Sequence, residues 1–188
     1  MILFLLLSVL FAGSLAQVPL SEYPHFEVVR NFDTSKFLGT WYQISRTPNQ
    51  YEIDQKCSII GYDWYRNSPL IAYLASTDIK NGEYSRLPAS DTEREPYLAQ
   101  WDFRYPANLK ESNGVTSILA TDYITYAVKT LVQKAQNGKP GYELIVWILS
   151  REKTLSKSCE KTIVDVLNRN RIPLSILSPV DQSNCYIQ

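Results

Sequence analysis

Hydrophobic positions along the chain fall into three patterns. The first is a nearly unbroken apolar run from Ile2 to Ala12, interrupted only by Ser8. Eleven helical residues rise about 17 Å, too little to cross a hydrocarbon layer of about 30 Å. Ser14-Leu15-Ala16 then places small residues at cleavage positions. The run predicts a secretory signal peptide over 1–16, cut between Ala16 and Gln17, and one domain over 17–188. No later stretch is long and apolar enough to span a membrane.

The second pattern fills most of the chain. Short runs rich in Tyr, Val, Ile and Trp are bounded by turn residues, and predict strands at 39–47, 57–65, 70–78, 82–87, 97–105, 115–121, 124–133 and 142–150. Asn67-Ser68-Pro69, Asn81-Gly82, Asn113-Gly114 and the stretch from Asn137 to Gly141 mark turns, Asn-Gly being the pair that supplies the positive φ of tight hairpins. Eight sequential strands with hairpin connections predict an all-β fold, an eight-stranded up-and-down antiparallel barrel. Closure removes its edges and leaves room inside for one small ligand. Strand count alone leaves a two-sheet sandwich open. The third pattern is helical. Leu155, Cys159, Ile163, Val166 and Leu167 make a stripe with Glu160, Lys161 and Asp165 off it, so one helix over 155–170 packs on the outside of the barrel wall. Ser156 or Ser158 caps its start and Pro173 stops it.

Alternation divides each strand into an inner and an outer face. Ile60, Tyr62 and Trp64 share one face, Trp101 and Phe103 another, and Ile145, Trp147 and Leu149 a third. A one-residue slip would reverse each assignment.

Composition narrows the function classes. Lys plus Arg is 19 and Asp plus Glu is 19, so the basic surplus of a nucleic-acid binder is missing. A single histidine, His25, rules out a His-rich metal site and any Ser-His-Asp machinery not built on it. No metal ligands, catalytic residues or required cofactor are therefore assigned. The 13 Tyr, 4 Trp and 6 Phe suit β-structure and binding surfaces. In an exported chain Cys57, Cys159 and Cys185 favour one pair with one thiol left over, and spacing allows any of three pairings.

Three motifs then appear in order: Gly39-Thr40-Trp41-Tyr42 opening the first strand, Thr121-Asp122-Tyr123 between the sixth and seventh, and Trp147-Ile148-Leu149-Ser150-Arg151 ending the eighth. This set resembles the three signatures of the lipocalins. Asn31-Phe32-Asp33, the run Ile118 to Tyr123, and Asp181-Gln182-Ser183-Asn184-Cys185 are similar to the apolipoprotein D and insect bilin-binding branch. The resemblance implies structural roles for four residues. Gly39 lets the backbone approach closely at the barrel floor, and Trp41 plugs that end. Arg151 lies over Trp41, a contact worth about 0.5–2 kcal/mol. Asp122 accepts backbone donors in its turn. It also implies a Cys57–Cys185 bridge, leaving Cys159 as an apolar helix-face residue, a reactive thiol or an intermolecular partner.

The ligand-binding residues implied by alternation and resemblance together are Tyr62, Trp64, Trp101, Phe103 and Trp147, with the Trp147 ring facing an open cavity. The function implied is a secreted, extracellular carrier of a small hydrophobic ligand: a bilin, retinoid, fatty acid or sterol-like molecule. A bound bilin or lipid would be cargo. No nucleic-acid partner and no membrane span are expected, and protein partners stay undetermined. The alternative is a protein-binding or inhibitory lipocalin acting through its mouth loops. An enzyme is disfavoured, because lipid-isomerising lipocalins use a barrel-interior thiol and Cys57 and Cys159 are both otherwise placed.

Overall fold

The computed structural model describes residues 18–64, 70–107, 110–136 and 138–185. The signal-peptide segment and the turn at Asn67-Ser68-Pro69 lie outside them. No described helix is long and apolar enough to cross a membrane. The elements in chain order are β1 (Val18–Leu20), α1 (Thr34–Phe37), β2 (Gly39–Arg46), β3 (Gln55–Asp63), β4 (Leu70–Asp78), β5 (Tyr84–Glu93), β6 (Gln100–Arg104), β7 (Gly114–Thr121), β8 (Tyr126–Lys134), β9 (Tyr142–Ser150), α2 (Lys157–Arg169) and β10 (Ser178–Pro179). Strands β2 to β9 each pair antiparallel with the next, and β9 returns to β2. The barrel is thus closed, and the sandwich alternative falls.

The alternating pattern produces two separate apolar layers. Inside stand Trp41, Ile60, Tyr62, Trp101, Phe103, Leu131, Ile145 and Trp147. Outside, Val128, Val132, Leu144, Val146 and Ile148 meet Ile163, Val166 and Leu167 of α2. Ser156 caps that helix, accepting from Cys159 N at 3.3 Å. Asn170, just past its end, accepts from Glu27 N at 2.7 Å and ties down the N-terminal segment. Cys159 is free and half-buried, at the edge of the outer layer, with its sulfur 3.3 Å from Thr125 Oγ1.

Two predicted elements change shape. The strand expected at 82–87 runs to Glu93, through Pro88 and the polar run Ser90-Asp91-Thr92. Pro88 is tolerated because β6 pairs with β5 only from Ser90 onward, so that edge has no neighbour at the proline. Asn81-Gly82 makes the expected tight turn, with Gly82 at φ +75°. Asn113-Gly114 does not. It ends a longer loop, where Asn113 Oδ1 accepts from Tyr105 N at 2.6 Å. Gly114 is needed there for space, since a Cβ would lie 2.4 Å from Val132 O.

The barrel seam lies at β2. Its first half pairs with β3, from Gly39–Tyr62 to Tyr42–Ile59. The second half leaves β3 and pairs with β9 and with β10 of the tail. Gln182 fills the resulting gap, donating to Gln43 O and Ser58 O at 2.8 Å each. Cys57 N donates to Asp181 O at 2.8 Å, and a disulfide joins Cys57 to Cys185.

Candidate functional site

The floor of the barrel is built by α1 and the motif residues. Asp33 caps α1, which carries Phe37 under the barrel. Phe37 stacks on Trp41 at 4.8 Å, and Trp41 Nε1 donates to Phe37 O at 2.9 Å. The Arg151 guanidinium lies 3.8 Å from the Trp41 ring centre. It also donates to the carbonyls of Thr40 (2.8 Å), Lys36 (3.1 Å), Tyr123 (3.2 Å) and Phe37 (3.3 Å). Gly39 is required for its φ of +89° rather than for close approach, because a Cβ there would meet nothing nearer than Arg151 Nη1 at 3.5 Å. Asp122 Oδ1 accepts from the backbone N–H of Ile124, Thr125 and Tyr126. Burial works against its charge, but these bonds and the Thr125 hydroxyl hold its carboxyl below the usual range.

Above the floor, Tyr62, Trp101, Phe103 and Trp147 stand in one interior cluster. Tyr51, on the loop after β2, packs edge-on to Phe103 and to Tyr105 across the mouth, and donates to Gln133 Oε1 at 2.8 Å. Trp64 is not among them. Alternation puts it on the face of Tyr62, but β3 ends at Asp63, and Trp64 is 55% exposed. It stands with the exposed Tyr97 at a cleft of about 1010 Å³ beside the floor, whose buried lining includes Phe32, Leu70, Asp91 and Trp101.

The interior is not purely apolar. Glu52, buried on the loop after β2, accepts from Trp147 Nε1 at 2.8 Å and Asn49 Nδ2 at 3.2 Å, is hydrogen-bonded to Gln43, and pairs with Arg46 at 3.8 Å. The Trp147 ring is therefore packed and hydrogen-bonded, against the expectation that it faces an open cavity. Lys129 sits beside it in the β8–β9 ladder, also pointing inward, and its Nζ donates to Tyr62 OH at 2.7 Å. Asp91 accepts from Thr116 Oγ1 at 3.0 Å. Burial pushes the Asp91 carboxyl up, with Lys129 and the Thr116 bond opposing. For Lys129 burial opposes the charge, but Tyr62, Asp91 and Glu52 hold its ammonium above the usual range. Arrangement and chemistry describe an aromatic-rich barrel interior with a small set of buried polar groups, the residue types that line ligand sites.

Residues 32–181 match the family model described as a lipocalin-like domain. The chain belongs to the lipocalin family. Among curated relatives of this lipocalin, apolipoprotein D of Bos taurus is 26% identical over 174 residues, covering 88% of this chain and 85% of the relative. Bilin-binding protein of Pieris brassicae is 26% identical over 149 residues, covering 77% and 75%. The solved structure of insecticyanin from the tobacco hornworm Manduca sexta aligns with a TM-score of 0.72 at 24% identity, over 90% of this chain and 91% of that one. The lipocalin fold places four of the five aromatic candidates together. The polar members escaped the sequence reading. Lys129 carried a legible signal, a lone cation at an inward position between Ala127 and Leu131. Glu52 carried none, because loop residues have no periodicity.

Proposed function

We propose that the protein is a secreted carrier of a small hydrophobic ligand, held in the barrel against Tyr62, Trp101, Phe103 and Trp147. The observation that carries this reading is the convergence of these four rings inside a closed barrel. Burying apolar ligand surface against them contributes about 25 cal/mol per Å² before the costs of binding are met. A bilin, retinoid, fatty acid or sterol-like molecule all suit such walls, and one relative is named for binding a bilin. Carriage rather than catalysis fits the thiols: Cys57 is bridged and Cys159 lies on the outer helix, so neither is a nucleophile inside the barrel. Export is supported by the N-terminal apolar run and by the bridge, which needs an oxidising compartment. Trp64 belongs to this site only if the ligand reaches the cleft beside the floor. The test is extraction of ligand from protein purified from its native source, with its absorption spectrum, alongside tryptophan fluorescence titration of the stripped protein. Protein that carries no extractable small molecule and whose fluorescence no apolar ligand quenches would defeat the reading.

A further inference from the structure

We infer that the ligand carried in the barrel bears an acidic group, a carboxylate, and that the Lys129 ammonium receives it. The inference rests on the carrier reading above and adds the chemical class of the cargo.

An ammonium has three N–H donors and no acceptor. Lys129 is 4% exposed, so bulk water does not serve it. One hydrogen bond is satisfied, by Tyr62 OH. It lies at the hydroxyl edge of the Tyr62 ring, 5.1 Å from its centroid, and 5.5 Å from the centroid of the Trp147 ring. Such ring contacts return only part of what a buried cation loses on leaving water; the rest requires paired, hydrogen-bonded anions.

The interior carboxylates do not supply that pairing. Glu52 is committed to Arg46, Gln43, Asn49 and Trp147. Asp91 takes the Thr116 hydroxyl, and neither carboxylate forms an ion pair or hydrogen bond with Lys129. Burial also draws Asp91 toward its neutral form while Lys129 keeps its charge. With Arg46 and Glu52 cancelling, the barrel interior holds an ammonium that acts on its carboxylates only at a distance.

The same interior sets aromatic rings and this cation side by side, so it matches an amphipathic molecule with an acid head and an apolar body. A neutral alcohol of the same body meets the rings but gives the ammonium a weaker partner. A site with an unfilled buried donor discriminates strongly between such pairs.

The experiment is a set of titrations of the stripped, full-length protein, followed by tryptophan fluorescence. The ligands are two matched pairs, palmitic acid with hexadecanol and retinoic acid with retinol. The acid of at least one pair is expected to bind tenfold or more tightly than its alcohol, with the gap closing in Lys129→Met. A second readout needs no variant. Carboxyl-¹³C palmitate bound to wild-type protein is expected to stay ionised at pH values where the free acid is protonated. Equal affinity within both pairs, or a bound carboxyl that titrates no lower than the free acid, overturns the inference and leaves the carrier reading standing. Failure of all four ligands to bind overturns the inference, and the carrier reading falls with it where the native protein also yields no extractable small molecule and no apolar ligand quenches its fluorescence.

Discussion

At the scale of single residues, Arg151 does more than cover an indole. Its five N–H groups reach four carbonyls from three segments as well as the Trp41 face. Truncation strips all four carbonyls of this donor, where a hydrogen bond to a charged group contributes about 1.5–3 kcal/mol. Arg151→Ala is expected to lower stability by about 2–4 kcal/mol, above the expectation from cation–π contact alone; an unchanged denaturation midpoint would refute the role. Asp91 gives a pH-dependent prediction. Burial raises its folded pKa above that of a solvated carboxylate, so between the two values the folded state binds more protons than the unfolded. Stability then falls as pH rises through that window, and the deficit persists at neutral pH. Asp91→Asn is expected to be more stable than wild type at pH 7, with the difference shrinking toward pH 3. Thermal unfolding at both pH values reads this directly, and an asparagine variant less stable at pH 7 would contradict it. Trp147→Ala is expected to cost about 3–5 kcal/mol of stability, because a packed, hydrogen-bonded ring is lost and Glu52 loses a donor. Trp147→Phe should recover most of the packing but not that bond. An alanine variant as stable as wild type would show that the ring is free.

At the scale of elements, the sequence was most readable where a strand's apolar residues each have a layer to enter. β9 runs over the predicted 142–150 because its inner Ile145, Trp147 and Leu149 and its outer Leu144, Val146 and Ile148 each have a layer to enter. The same alternation placed Tyr62, Trp101, Phe103 and Trp147 inside. It failed at Trp64, where the strand stops one residue earlier and the periodicity no longer binds. It failed over Ser90 to Glu93 for the opposite reason: polar residues there sit in a ladder, with Asp91 pointing inward beside Thr116. The tail was legible only through its resemblance, since no hydrophobic pattern marks a segment whose work is hydrogen bonding to a seam. That work is testable. Cys185→Ser should release the tail, costing about 2–5 kcal/mol as loss of a native bridge does, and should speed amide exchange at Cys57 and Val180, which donate to Asp181 O and Ile44 O. Exchange unchanged at both amides would show that Gln182 and β10 hold the seam unaided.

At the scale of the whole molecule, the barrel separates tasks by height. The floor is an interlocked set of rings under one guanidinium, the middle holds the aromatic cluster with Lys129, and the mouth is crossed by Tyr51 and Tyr105. Changes at the floor are expected to alter stability more than ligand affinity, and changes at the mouth the reverse. Tyr51→Ala is accordingly expected to speed ligand release while shifting thermal unfolding by less than Arg151→Ala does. Stopped-flow displacement beside calorimetry checks both halves of that statement.

The seam at β2 also sets a timetable for the chain as it is made. Thr47, at the end of that strand, meets Val146 across 99 residues, and the bridge spans a separation of 128. At about 5–20 residues per second, roughly 5–20 s pass between synthesis of β2 and synthesis of the strand that closes it. Through that interval the nascent sheet keeps open edges of the kind that recruit other chains. The finished barrel has no such liability along its closing strands, so the danger belongs to birth and not to service. A chain cut short after β8 would carry both edges permanently, and aggregation is the fate its geometry prescribes.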